Sequence, residues 1–268
     1  MGVPVYLVDA FADGAFTGNP AGVVPTAEPL PESLMAAIAM ELHQAETAFV
    51  SPLADGTVSL RWFTPTVEVD LCGHATLAAA HVLREHPQAG WAFDRDEIKF
   101  ATRSGVLIAR PDGDVLELDF PDEAPEPAEL PGPLPFPGGA VWTGRNRMDW
   151  FVQLADEAQV RALAPDPAAV AALGLRGLVV TAVADRGGPA DFVSRCFYPQ
   201  TGVPEDPVTG SAHCGLAPFW ADRLGRTELV GFQASRRGGT VAVRLAVDRV
   251  RLGGRAVTTV RGELLLPD

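Results

Sequence analysis

The chain has 268 residues, 47% of them hydrophobic and 21% charged, with a formal net charge of −13. That length favours two domains over a single core. The acidic balance argues against nucleic acid, which selects clustered Lys and Arg. No apolar run approaches the roughly 20 residues that a membrane span needs.

In chain order, Val3–Asp9 reads as a first strand. It lacks a basic leader and a small-residue cleavage site, which leads us to expect a cytoplasmic protein. A helix opens at Pro31-Glu32-Ser33-Leu34, with Leu34, Ile38 and Leu42 at helical spacing. Glu46–Val50 and Val58–Phe63 read as strands joined through the turn Asp55-Gly56. A second helix runs from His74 to about Arg84, so apolar in its first two turns that burial is expected. Asp112-Gly113 marks a hairpin between Val106–Ile108 and Val115–Leu118.

The stretch from Phe120 to Gly139 holds prolines at 121, 125, 127, 131, 133, 135 and 137. Such a segment suits neither a helix nor a central strand. Residues 121–139 are therefore expected to link an N-terminal domain, 1–120, to a C-terminal domain, 140–268. The second half repeats the plan, with strands at Phe151–Leu154 and Gly177–Thr181, a short helix at Glu157–Leu163 and a long one at Ser211–Leu224. Val241–Leu245 and Val257–Val260 alternate as strands.

Several chemistries lose their usual support. The three cysteines, Cys72, Cys196 and Cys214, form no CxxC pair, and the five histidines show no zinc spacing. Lys99, the only lysine, lies in an alternating strand-like stretch, so a pyridoxal Schiff base is not expected. No dinucleotide, P-loop or nucleophile-elbow motif occurs. No cofactor and no metal are expected.

One pattern occurs twice. Phe63-Thr64-Pro65, Asp70 and Gly73-His74-Ala75 recur about half a chain later as Phe197-Tyr198-Pro199, Asp206 and Gly210-Ser211-Ala212. Phe16-Thr17-Gly18-Asn19 and Trp142-Thr143-Gly144-Arg145-Asn146 form a looser pair. Two half-chains built alike would set two helix N-termini across a cleft. Free amides and helix dipoles there favour an anionic small molecule.

Four polar residues could carry chemistry. Glu46 borders an apolar strand, where a raised pKa would suit a carboxyl that takes and returns a proton; the alternative is a solvated strand start. His74 begins a helix, which disfavours imidazolium and predicts a neutral ring; the alternative is a buried or capping histidine. Asp206 and Ser211 read as helix caps or, through the duplication, as the counterparts of Asp70 and His74, the four converging on one ligand. Asp70 and Glu205 read as structural or solvated. A two-thiol racemase would need a cysteine facing Cys72, but Thr209 occupies the matching place, and Cys196 and Cys214 read as inert buried thiols.

Phe16-Thr17-Gly18-Asn19-Pro20, Glu46-Thr47-Ala48-Phe49, Cys72-Gly73-His74-Ala75-Thr76 and Glu205-Asp206-Pro207-Val208-Thr209-Gly210-Ser211-Ala212 together resemble the PhzF family of phenazine-biosynthesis isomerases and their relatives. The resemblance extends to Gln233 and Arg237-Gly238-Gly239. It implies an α+β fold of two similar diaminopimelate epimerase-like domains, each a curved mixed sheet or barrel around a central helix. The active site would lie in the interdomain cleft, and C-terminal strands could return to the first domain. It also implies a homodimer and no cofactor.

By the same resemblance, Glu46, His74, Asp206 and Ser211 are the catalytic set. Glu46 would move a proton between carbons of a small carboxylate-bearing metabolite. Asn19, Gly73, Thr209, Gly210 and Ala212 would complete the substrate-binding set. Cys72 and Ala75 stand where the phenazine-making members carry an apolar residue and a proline, which points to the broad family and not to the phenazine enzymes. An epimerase using Cys72 as a base and a non-catalytic dimeric binding protein are the alternatives.

Overall fold

The computed structural model describes residues 2–86 and 90–265. The chain forms two compact units, one of Met1–Asp119 with Gly253–Asp268 and one of Phe120–Leu252. Helices are labelled α1 (Glu32–Leu42), α2 (Gly73–Glu85), α3 (Glu157–Arg161), α4 (Pro167–Ala171) and α5 (Gly210–Leu224).

In the first unit, Gly2–Ala10 pairs antiparallel with Asn19–Pro25 on one side and with the C-terminal strand Ala256–Leu265 on the other. Asn19–Pro25 runs parallel to Glu46–Pro52, with Ala21 opposite Glu46. Glu46–Pro52 pairs antiparallel with Val58–Phe63, which in turn pairs parallel with Ile98–Thr102. The hairpins through Gly105–Asp112 and Val115–Pro121 complete the sheet.

Glu46–Pro52 is covered on both faces, as a central parallel strand requires. Phe49 packs with Met35, Ile38 and Ala39 of α1. Period-two alternation places Glu46 with Ala48 and Val50 on the opposite face, and α2 also packs on this strand. Helix α2 is buried without a break from His74 to Ala80, and the small side chains Ala78, Ala79 and Ala80 let it sit close to its neighbours.

The second unit repeats the pairing order. Trp142–Arg145 pairs antiparallel with Asp149–Gln153, which runs parallel to Gly177–Val183. Gly177–Val183 pairs antiparallel with Phe192–Tyr198, which runs parallel to Glu228–Gln233. Gly239–Leu245 follows antiparallel. On one side, Trp150, Val152, Leu178, Val180 and Val193 pack with Val160 and Val170 of the two short helices. Helix α5 packs against Glu228–Gln233 and Gly239–Leu245, and its Trp220 indole N–H donates to the Thr181 hydroxyl at 2.9 Å.

The first unit's N-terminal part ends at Asp119, where the proline run begins. Phe136 is buried in the second unit's core with Leu130 and Leu134 against it, and Glu126–Pro127 pairs with Trp142–Arg145. Residues 121–139 are thus part of the second unit's packing, with hydrophobic side chains between the prolines supplying the contact. The C-terminal strand lies with the first unit. Ala256–Leu265 pairs along the whole length of Gly2–Ala10, so its backbone ladder holds it in the first unit.

Candidate active site

In the first unit a tight loop delivers Asn19. The Thr17 hydroxyl accepts from the amides of Asp13 at 3.1 Å and Gly14 at 3.2 Å, and the buried Asp9 carboxylate accepts from the Phe16 amide at 2.6 Å. Gly18 has φ +68, and a Cβ there would lie 2.3 Å from the Ala10 carbonyl oxygen, so only glycine fits. The next residue, Asn19, starts the central strand pair and is fully buried.

Three elements then meet. Asn19 Nδ2 lies 3.2 Å from His74 Nδ1, and His74 Nε2 lies 3.2 Å from Glu46 Oε2. Nε2–H faces the carboxylate, and the Asn19 side-chain amide lies against Nδ1. Cys72 Sγ lies 3.5 Å from Nδ1. Cys72 is the residue before α2, in extended backbone with φ −147, and its carbonyl accepts from the Thr76 hydroxyl at 2.5 Å. The side chain of Cys72 does not cap the helix, so the first-turn amides around Gly73 have no side-chain acceptor there.

The electrostatics differ from expectation at both titrating residues. Burial would push the Glu46 carboxyl up, but the hydrogen bond and charge of His74, with Cys72, hold it below its ordinary value. Burial would push the His74 imidazole down, but Cys72 and the Glu46 carboxylate hold it well above its ordinary value. The sequence expected a raised glutamate and a neutral histidine, because neither residue's partner could be read from spacing. Burial and Glu46 push the Cys72 thiol up. Glu46 is thus ionised near neutrality.

Glu46, Cys72 and His74 also offer ligand atoms within 4.8 Å of one another. A carboxylate, a thiol and an imidazole form a donor set that zinc accepts. Neither the cysteine spacing nor the histidine spacing revealed it, since Glu46 comes from a separate strand.

The second unit builds a different cluster. Thr209, the residue before α5, donates its hydroxyl to Asp206 Oδ2 at 2.5 Å, and its amide donates to Gln233 Oε1 at 2.9 Å. Gln233 Nε2 donates to the Asp206 carbonyl at 2.7 Å. Neither Asp206 nor Ser211 caps α5, which has no side-chain cap. Ser211 Oγ instead accepts from Arg176 Nη2 at 2.9 Å. Arg176 also donates through Nε to Asp149 Oδ1 at 2.9 Å, and its Nη2 pairs with Asp149 Oδ2.

Arg176 and Asp149 were not singled out from sequence. The available signal was Arg176's place immediately before the strand Gly177–Val183. Of the expected substrate-binding residues, Asn19 spends its amide on His74, while Thr209, Gly210 and Ala212 have buried side chains or none. Gly73 is partly exposed. Cys196 and Cys214 are buried, and desolvation pushes both thiols up, Cys214 to about 12. Among the described residues, no helix is long and apolar enough to cross a membrane.

Residues 8–127 and 136–262 match the PhzC-PhzF family of phenazine biosynthesis-like proteins. An uncharacterized isomerase of Pseudomonas aeruginosa is 46% identical over 99% of this chain and 100% of its own. The crystal structure of a PhzF-family phenazine biosynthesis protein from Enterococcus faecalis superposes with a TM-score of 0.91 at 40% identity, covering 99% of this chain and 100% of that one. A hydroxyproline epimerase from Agrobacterium vitis, 13% identical with a TM-score of 0.57 over 100% of this chain and 93% of its own, shares the fold. The duplicated pairing plan, the helix starts and the whole-length match lead to one conclusion: the chain belongs to the PhzC-PhzF family of phenazine biosynthesis-like proteins, among its isomerases.

Proposed function

We propose that this isomerase moves a proton between carbons of a small carboxylate-bearing metabolite, with Glu46 as the base that takes the proton and the acid that returns it. The observation that carries the reading is the 3.2 Å contact between Glu46 Oε2 and His74 Nε2 at a half-buried carboxylate. An ionised carboxylate can accept a proton from carbon, and the adjacent imidazole can rebalance charge once it has done so. Asn19 orients the ring through Nδ1. Asp206 and Ser211 are assigned to holding the substrate. No cofactor enters the proposed step, and homodimeric assembly, checked by light scattering, belongs to the same reading.

The test is hydrogen exchange at carbon. The protein, incubated in deuterated water with a panel of cyclic and amino-acid-like carboxylates, should place deuterium on carbon in at least one of them. Equal rates for the native protein and Glu46→Gln would remove Glu46 from the mechanism.

A second reading makes Cys72 the base, as in an epimerase, because its Sγ lies 3.5 Å from His74 Nδ1. The raised thiol disfavours it. Full turnover by Cys72→Ala would end that version, and abolished turnover with an intact fold would favour it.

A further inference from the structure

The second unit places a cation one residue before the strand position that matches Glu46, which is Gly177. Asn19–Pro25 and Glu46–Pro52 are a parallel pair; Asp149–Gln153 and Gly177–Val183 are the corresponding parallel pair. Glu46 opens its strand and meets His74, the second residue of α2. Arg176 immediately precedes its strand and meets Ser211, the second residue of α5.

A guanidinium has five N–H donors in a fixed plane. Arg176 spends Nε–H and one Nη2–H on Asp149, whose side chain is fully buried, and the other Nη2–H on Ser211 Oγ. The Tyr198 ring lies under it, 4.8 Å from the guanidinium carbon to the ring centroid. Side-on pairing with Asp149 fixes the orientation of the plane. Both N–H groups on Nη1 have no protein acceptor among the described residues, and the side chain is 32% exposed.

Ser211 Oγ receives Arg176 as donor, so its own O–H hydrogen is left to point elsewhere. No described residue accepts it. In a planar guanidinium, the Nη2–H that reaches Ser211 runs parallel to an Nη1–H on the same edge. Nη1–H of Arg176 and the O–H of Ser211 are therefore neighbouring donors with no acceptor among the described residues. Because Asp149 already balances the Arg176 charge, recognition rests on directed donors and not on net charge. Two neighbouring donors without a described acceptor suit the oxygens of a carboxylate.

We infer that Arg176 and Ser211, fixed by Asp149, form a carboxylate-binding subsite, with Ser211 acting as a hydrogen-bond donor to the ligand. This deepens the isomerase reading and rests on it for the identity of the substrate; the binding site itself does not depend on Glu46.

The test uses the full chain and carbon-13-labelled acetate, with binding followed by line broadening at constant ionic strength. The native protein should bind acetate. Ser211→Ala should weaken binding about tenfold, the scale of one lost hydrogen bond to a charged group. Arg176→Lys, which keeps the charge but loses the fork, should weaken it at least as much.

Because Arg176→Lys disturbs a buried pair, each variant's fold is checked by circular dichroism, and Ser211→Ala, which leaves that pair intact, decides if Arg176→Lys fails to fold. Unchanged acetate affinity in Ser211→Ala, or no binding by the native protein, would overturn the subsite. Glu46→Gln separates the two ideas. If it binds acetate normally while deuterium exchange is also unaffected, the proton-transfer reading falls and the subsite stands. If exchange is lost in Glu46→Gln while acetate ignores Ser211, the reverse holds.

Discussion

The beginnings of two equivalent strands carry opposite chemistry. In the first unit the Glu46 carboxylate faces a histidine across 3.2 Å. In the second unit Arg176 faces a serine across 2.9 Å, and a fully buried aspartate holds the arginine in place. The pairing order around the two sites is the same, so the backbone does not make the difference. Side chains do: one site pairs a carboxylate with an imidazole, and the other pairs a guanidinium with a hydroxyl and a buried carboxylate. Duplication supplies two helix starts of similar geometry, and the proposed division of labour assigns transfer to one and holding to the other.

That contrast breaks most visibly in rates. Glu46→Gln should reduce deuterium exchange by about 10²–10⁴-fold, the usual contribution of a general acid–base group, with the reduction in kcat. Ser211→Ala should act mainly on KM. If both variants moved the same kinetic constant by the same factor, the division of labour would be wrong.

Stability should separate the sites in the opposite sense. Arg176→Met strands the Asp149 carboxylate, which has no exposed side-chain surface, and removing one partner of a buried pair costs about 3–5 kcal/mol. Glu46→Gln keeps a hydrogen-bonding group beside His74 at a half-buried position and should cost under about 1 kcal/mol. Urea denaturation of both variants measures this directly.

The ease of reading each site from sequence follows the same line. Glu46, His74, Asp206 and Ser211 were visible because they sit in short motifs at strand or helix starts. Helix α1, the strand Val58–Phe63 and the hairpin turning at Asp112-Gly113 were legible from local periodicity and turn chemistry. Arg176 was hidden because its partners, Asp149 and Ser211, lie 27 and 35 residues away along the chain. The directions of the Glu46 and His74 shifts were misread for the same reason: burial was inferable, but the pairing that outweighs it is tertiary. The proline run misled because proline forbids regular structure without forbidding burial, and Phe136 shows the segment packed.

The pH dependence sharpens the first site. Glu46 lies below its ordinary 4.5 in the folded protein, so it contributes stability that is present above 4.5 and is lost as pH falls through the folded value. His74 lies above its ordinary 6.5, so its contribution is present below 6.5 and is lost as pH rises through the folded value. In His74→Leu the lowering partner is gone and burial dominates. The acid limb of the exchange rate should move to higher pH, above the ordinary glutamate range, whereas Ser211→Ala should leave that limb in place. A pH–rate profile of both variants decides it.

The smallest effect concerns helix starts. The short helices α3 and α4 are capped: Asp156 accepts from the Gln159 amide at 2.8 Å, and Asp166 accepts from the Ala168 amide at 3.0 Å. The long helices α2 and α5 have no side-chain cap, although Cys72 and Thr209 occupy the capping position. A helix packed deeply in a core can leave its first amides for another use, while a single exposed turn depends on its cap. Asp166→Ala should therefore cost about 1 kcal/mol, measured by thermal denaturation. Cys72→Ser tests the other half. A serine at an uncapped start could supply the missing acceptor, so a gain of stability of similar size, with slower exchange at carbon, would show that α2's free amides serve the site. No gain would mean that the packing around Cys72 prevents its side chain from turning toward the helix.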